Sequence, residues 1–400
     1  MKHCLRTAVF LFVLAGSATL SGQTQLGWVQ KAGFPGPARH RATGESVGNR
    51  GYMGLGHVNS VVDVLFDDWY EYDPGSDTWT QKASYPGGPR FHATSFVLNG
   101  MIYVGTGRDV TTALHQDFWK YNPVTNTWAA VAPFPGAARR GAVGFTINGY
   151  GYVGTGSYHS NFFRYDPSND SWTQVASLPG SGRISAVGFA VNGKGYIGTG
   201  DESGPMNDMW EYDPVLDTWT QKANLPGLPR MEAGGFVLNG KGFIGTGDNY
   251  SSGTNYGDFW CFDPAANSWT QVTDFGGAER RYLTCLTIGN RAYAGLGTSG
   301  INYADFWEYG SISGVEEANA FSFGISPMPV SDAATIRFSK TVSDAKMELL
   351  DAGGKKVMAA EGISGDHFSL ERNGLPAGMY FMRIIEKDII LSTGKIIFSN

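Results

Sequence analysis

Cysteine, net charge and long apolar runs are all scarce in this chain. Three cysteines in 400 residues cannot build the disulfide framework of a small secreted domain. Lys and Arg number 30 against 36 Asp and Glu, a net charge of −6, so there is no basic footprint and nucleic acid is not an expected partner. After the first 22 residues no apolar run is long enough to span a bilayer, so no transmembrane segment is expected in the mature chain. A nucleophile elbow, a Gly-rich phosphate loop and zinc-ligand spacing are also missing, so no cofactor or metal is expected. Glycine is the opposite case. It occurs 56 times, in regular positions that point to tight turns rather than disorder.

Six tryptophans organise the chain: Trp28, Trp79, Trp128, Trp172, Trp219 and Trp269, spaced 44 to 51 residues apart. Each closes the same unit. An arginine comes first (Arg39, Arg90, Arg139, Arg183, Arg230 or Arg280), and fifteen residues later a GTG or GLG begins at Gly54, Gly105, Gly154, Gly198, Gly245 or Gly295. Between them lies an apolar pair of segments joined by Asn-Gly (99–100, 148–149, 192–193, 239–240) or Gly-Asn (48–49, 289–290), the strongest short hairpin signal. A variable loop follows, then an Asp-x-aromatic-x-aromatic segment alternating with period two, then a short turn and the Trp strand. Four short strands per unit and a period near 45–50 describe a β-propeller. The first three strands occur six times, but the chain opens on a lone fourth strand, LGWVQKAGF (26–34). That strand is expected to complete the sixth blade, leaving no open sheet edge at the seam. The glycine after the second strand is expected to serve close approach between blades near the axis.

These units resemble the kelch family over nearly three quarters of the chain, with GTG or GLG where the family usually has a double glycine. The resemblance implies a six-bladed propeller over 23–310. The family's copper–tyrosyl-radical branch has seven blades, and no tyrosine–cysteine–histidine set here maps onto its site.

The ends read differently. MKHCLRTAVFLFVLAGSATLSGQ has the charged start, short apolar run and small residues of a secretory signal peptide over 1–22, with Cys4 in its charged region. Cys261 and Cys285 remain in the mature chain. They fall on the third strand of one blade and the first strand of the next, and are expected as separate thiols, although export would permit a bond. Residues 311–319 read as a linker. The last 80 residues read as short strands at 334–339, 346–351, 367–371, 379–385 and 395–400, a small immunoglobulin-like β-sandwich pattern. SPMPVSDAATIRF (326–338), LLDAGGKKV (349–357), GLPAGMYFMRI (374–384) and KIIF (395–398) resemble the C-terminal sorting domain of type IX secretion, with Met328 where the family usually has Asn. The resemblance implies that 320–400 engages that secretion machinery. It also implies export across the outer membrane of a Gram-negative bacterium, to the surface or beyond.

Variable loops gather on one face of the propeller, where binding is expected. Candidate ligand contacts there are Arg39, His40, Arg41, Arg90, His92, Arg108, Arg139, Tyr158, Arg183, Arg230, Glu232, Tyr250, Arg280 and Tyr282. The six repeated arginines have a second reading: bonds to loop carbonyls or to the Asp opening each third strand (Asn161 in the third unit). His40, His57 and His92 could form a metal or acid–base set, or simply be solvated. Asp201, Glu202 and Asp248 offer carboxylates, and Tyr158, Tyr250, Tyr282 and Tyr303 offer faces for stacking on sugars or anchoring a protein. Three functions remain open. The first is a secreted module binding a glycan or an extracellular protein. The second is a sugar-modifying enzyme: some six-bladed kelch propellers are sialic-acid mutarotases, and the PGGPR loop (86–90) is similar to theirs. The third is a structural adhesion protein.

Overall fold

The computed structural model describes residues 25–59, 63–312, 323–351, 355–386 and 389–399. The signal-peptide reading therefore lies outside the described residues, as does nearly all of the expected linker. The chain divides into two compact units at Ile312/Ser313.

The first unit holds six antiparallel four-stranded sheets. Blade 1 spans Thr43–Val47, Arg50–Gly54, Trp69–Asp73 and Thr78–Lys82, and each later blade repeats that order. The first strands of all six blades line the central channel. Hairpin chemistry explains the tight inner corner. Asn99 and Gly100 both take positive φ (51° and 74°), as a type I′ turn requires. The strand Gln25–Lys31 pairs with Phe306–Ile312 and completes blade 6, joining the two ends of the propeller sequence. Trp28 is its anchor, within 4.9–6.2 Å of the ring centroids of Phe236, Phe259, Phe275 and Tyr309.

The recurrent tryptophans join blades to one another. Trp79 Nε1 donates to the Ala32 carbonyl at 2.9 Å, just past the outer strand of the preceding blade. Asp77 accepts the N–H of that same Ala32 at 2.9 Å, and Tyr72 donates to Asp77 at 2.8 Å. Trp128/Asn126, Trp172/Asp170, Trp219/Asp217 and Trp269/Asn267 make the same two-point clamp on Ala83, Ala132, Ala176 and Ala223. Blade 6 departs from this because its third and outer strands come from opposite ends of the propeller sequence and share no turn. Trp28 reaches Thr273 at only 3.4 Å, and the Thr273 hydroxyl bonds back to Leu26 at 3.0 Å.

One expectation about glycine is corrected. A Cβ at Gly54 would sit 2.0 Å from the Asp68 carbonyl, and one at Gly105 would sit 2.3 Å from Phe118. The crowding comes from the third strand of the same blade, not from neighbouring blades at the axis.

The second unit is five-stranded. The segments expected at 334–339 and 346–351 are one long strand, Ala333–Leu350, because register shifts between Arg337 and Met347 carry it through the polar Ser343–Asp344 without a break. It pairs with Phe323–Ser326, Lys356–Glu371 and Gly378–Glu386, and Ile389–Phe398 adds beside the last. Val330, Ile336, Met347, Leu349, Met382, Ile384 and Ile396 form its core, as in a small β-sandwich.

Trp28→Ala should destabilise the propeller by about 3–5 kcal/mol, the usual cost of emptying a large aromatic site. Urea unfolding followed by the remaining tryptophan fluorescence checks this. A change below about 1 kcal/mol would mean that the seam does not depend on this ring.

Candidate functional site

Each repeated arginine is buried beneath the loop face. Arg230 forms two bonds to the Asp258 carboxylate (2.7 and 2.8 Å), a third to the Thr246 carbonyl (3.1 Å) and a fourth from Nε to the Leu228 carbonyl (3.0 Å). Arg39–Asp68, Arg90–Asp117, Arg183–Asp208 and Arg280–Asp305 repeat the pair. This corrects six of the candidates: Arg39, Arg90, Arg139, Arg183, Arg230 and Arg280 are at most 2% exposed and spend their guanidinium inside the blade. They hold the loops and cannot reach a ligand on the face above. Arg139 is the exception in charge. Its partner is the neutral Asn161, at 2.9 Å, its Nη2 has no partner, and burial lowers its pKa to about 10.

Two residues after each arginine, just before the inner strand, comes a position held at positive φ in all six blades: Arg41, His92, Gly141, Ser185, Glu232 and Tyr282 (55–62°). Their backbones bond around the axis, from His92 N to Arg41 O (3.1 Å), Gly141 to His92, Ser185 to Gly141, Glu232 to Ser185 and Tyr282 to Glu232 (2.8 Å). These six positions, five of them with side chains, therefore ring the mouth of the channel, over a hollow of about 180 Å³. Five L-residues in this costly conformation indicate that the side-chain direction is imposed by the ring.

The mouth is chemically lopsided. Gly141 and Ser185 leave one side open. On the other, Arg41 bonds the Tyr282 hydroxyl, lies 4.0 Å from the centre of that ring, and reaches His57 Nε2 at 3.0 Å and His40 Nε2 at 3.3 Å. The two imidazoles touch through Nε2 at 2.7 Å, and His40 Nδ1 meets Asn302 at 2.9 Å. Burial, then the Arg41 charge, lowers both His40 and His57 to about 3. The same two causes lower His92, whose Nδ1 has no partner. The histidine grouping suggested by the sequence is thus real in space. A guanidinium is pressed against the neutral imidazoles, and among the described residues no group of three or more His, Cys, Asp or Glu could hold a metal ion.

Glu232 lies opposite His92 in the ring. Burial, then the neighbouring Asp248 carboxylate, raises it to about 8 against the pull of Arg41 and Arg281. Burial also raises Asp248, whose Oδ1 is unpartnered. Arg281 bridges Glu232 and Asp248, at 3.3 Å to each.

Beside the open side lies a second hollow of about 350 Å³, lined by Arg108, Thr112, Leu114, Arg140, Ser157, Tyr158 and Ile184. Among the described residues neither the Arg108 nor the Arg140 guanidinium has an ion pair or hydrogen bond. Tyr158 is 55% exposed and donates its hydroxyl to Asp201 at 2.7 Å. Tyr250, 54% exposed, stands at a loop tip near enough to raise the Tyr158 pKa. Glu202 turns away to Ser181 and Tyr303 to Ser299, so neither joins the mouth. Arg140, Gly141, Ser185 and Arg281 were not among the candidates. The signal that would have found the ring is positional: two residues past each arginine, whatever the residue type.

Comparison with known proteins agrees with this architecture. Kelch motifs match residues 89–135 and 150–179, and a secretion system C-terminal sorting domain matches 324–399. The chain carries kelch motifs in its propeller and a secretion system sorting domain at its C-terminal end. That domain marks the protein for type IX export to the cell surface or beyond it. N-acetylneuraminate epimerase from Escherichia coli O157:H7 is 33% identical over 96 residues, 22% of this chain and 26% of the relative. The enzyme of that name from Brucella suis is 37% identical over 59 residues, 14% and 15% of the two chains. The chain thus spans about a quarter or less of the length of these relatives. The solved structure titled "Structure of YjhT" superposes with a TM-score of 0.56 at 22% identity, over 68% of this chain and 95% of that one, which speaks to fold alone.

The Glu232 pKa sets a pH dependence for the kelch propeller's mouth. Its folded pKa lies above the ordinary carboxyl value, so from about pH 4.5 to about 8 the native state binds more protons than the unfolded chain, and this group's contribution to stability falls as pH rises. Glu232→Gln should flatten that part of a melting-temperature profile between about pH 5 and 8. An unchanged slope would show that Glu232 does not titrate there.

Proposed function

We propose that the loop-rich face is a receptor for an anionic sugar, with the sugar's carboxylate held at the channel mouth by Arg41 and Arg140. One observation carries this reading: Arg41 at the mouth and Arg140 beside it have no hydrogen-bonded carboxylate, while the imidazoles around Arg41 are neutral and Glu232 is protonated at neutral pH. Charge-assisted bonds from arginine to a carboxylate are the strong, directional kind. Tyr282, buried between Arg41 and the imidazoles of His40 and His92, holds the Arg41 guanidinium in place. The partial similarity to N-acetylneuraminate epimerases makes a sialic acid the first ligand to test.

A second reading is turnover of that sugar, favoured by Glu232. A carboxyl group raised to about 8 is protonated at neutral pH and can act as a general acid, with Asp248 beside it as the partner base. Such a pair could open and re-close the ring at the anomeric carbon. Proton NMR of N-acetylneuraminate anomers decides it: interconversion no faster than in buffer leaves binding as the whole function.

Arg140→Ala should weaken N-acetylneuraminate binding at least tenfold by calorimetry, as loss of a charged hydrogen bond costs about 1.5–3 kcal/mol. Arg50→Ala, remote from this face, serves as the control. Equal affinity in the Arg140 variant would remove the mouth from the account.

A further inference from the structure

The hollow beside the mouth is larger than the mouth itself, and the mouth reading leaves it unused. Its walls combine three features. Tyr158 presents a half-exposed ring on a backbone run, Thr155 to Tyr158, in which all four residues have positive φ (44–80°), while its hydroxyl is tied to Asp201. A ring held at both ends is a rigid stacking platform. Arg108 stands across it without an ion pair, and Arg140 stands between hollow and mouth. Beneath them lies Arg139, the one repeated arginine facing Asn instead of Asp. Five blades neutralise this buried charge and the third does not, although an unpaired buried charge is costly. The uncompensated charge lies in the blade that supplies Arg140, Ser157 and Tyr158. At about 180 Å³ the mouth falls below the usual ligand-pocket range of roughly 300–1,000 Å³, and with the 350 Å³ hollow it falls inside.

We propose that this hollow is a second subsite, and that the ligand is an acidic oligosaccharide with adjacent anionic rings. One carboxylate sits at the mouth, and the next ring stacks on Tyr158 with its acid on Arg108. The proposal rests on the mouth reading and deepens it.

The test is calorimetry with the secreted full chain and three probes: N-acetylneuraminate, its α2,8-linked dimer, and N-acetylneuraminate linked to neutral galactose. The dimer should bind at least tenfold more tightly than the monomer, and the galactose conjugate should gain less. Tyr158→Ala should erase the dimer's gain while changing monomer affinity much less, and Tyr158→Phe, which keeps the ring but loses its bond to Asp201, should retain part of the gain. Asn161→Asp, which neutralises Arg139, should cut the dimer's gain and raise thermal stability. Equal affinity for monomer and dimer would overturn the second subsite alone. A galactose conjugate as tight as the dimer would overturn its anionic character. Failure of the wild-type chain to bind any of the three would overturn the mouth reading, and this proposal with it.

Discussion

The buried arginine–carboxylate pair is the interaction on which the loop face depends. In a propeller blade the loop before the inner strand and the loop after the second strand rise on the same side, and neither carries enough apolar surface to pack itself. The arginine comes from the first loop. Its carboxylate opens the third strand, and the carbonyl it also bonds belongs to the middle residue of the GTG or GLG. A single side chain therefore fixes both loops of its blade, by four hydrogen bonds in the case of Arg230. The backbone of the same residue extends the constraint to the preceding blade. Gly56 N bonds to Arg90 O at 2.9 Å, and the pattern runs around to Gly297 N and Arg39 O, closing the circle. Buried ion pairs are often poor sources of net stability because desolvation offsets attraction. Here the pair sets geometry, and the tryptophan clamps and apolar inter-blade clusters supply cohesion.

Given that girdle, the mouth follows. The position two residues past each arginine has no freedom left. It must turn left-handed and point its side chain at the axis. Six residues, five of them with side chains, are thereby delivered to one small ring, and their identities decide its chemistry. Four carry functional groups and two are small, so the mouth has a reactive side and an entrance. Departures from the repeat are informative for the same reason. A residue that differs from its five equivalents is not required by the scaffold, and Asn161 is the clearest case, because it leaves a buried positive charge where its equivalents remove one.

The propeller was legible because its signals are periodic and local: Asn-Gly turns, alternating aromatics, and a constant distance from arginine to GxG. The closure by the N-terminal strand was legible from counting alone. The arginines were not fully legible. A charged residue repeated six times suits both a scaffold and a ligand-binding ring, and only the Asp at a separation of 25 to 29 residues, brought within hydrogen-bond distance, decides between them. The histidine grouping was legible, but the packing of Arg41 and Tyr282 against His40 and His57 was not, for another reason. These residues are up to 242 positions apart and belong to three segments with no shared pattern. In the sorting domain the long bent strand was read as two, since Ser343–Asp344 has the composition of a turn while bulges let the pairing continue.

The site's electrostatics are built by subtraction as much as by addition. The whole chain is mildly acidic, so a few arginines on its surface would ordinarily be neutralised by nearby carboxylates. At this mouth the charges of two nearby carboxyls are offset, and a third is held in place by hydrogen bonds. Glu232 is held protonated at neutral pH, Asp248 is bridged by Arg281, and Asp201 is engaged by the Tyr158 hydroxyl and the Gly204 N–H. The three imidazoles remain neutral, because protonating any of them would place a further charge against Arg41 in a buried space. What remains is positive potential with open coordination, surrounded by groups that neither cancel it nor repel an anion. Such a balance fails if any one member changes charge. It shows how a protein with a net charge of −6 can still gather positive charge on one face.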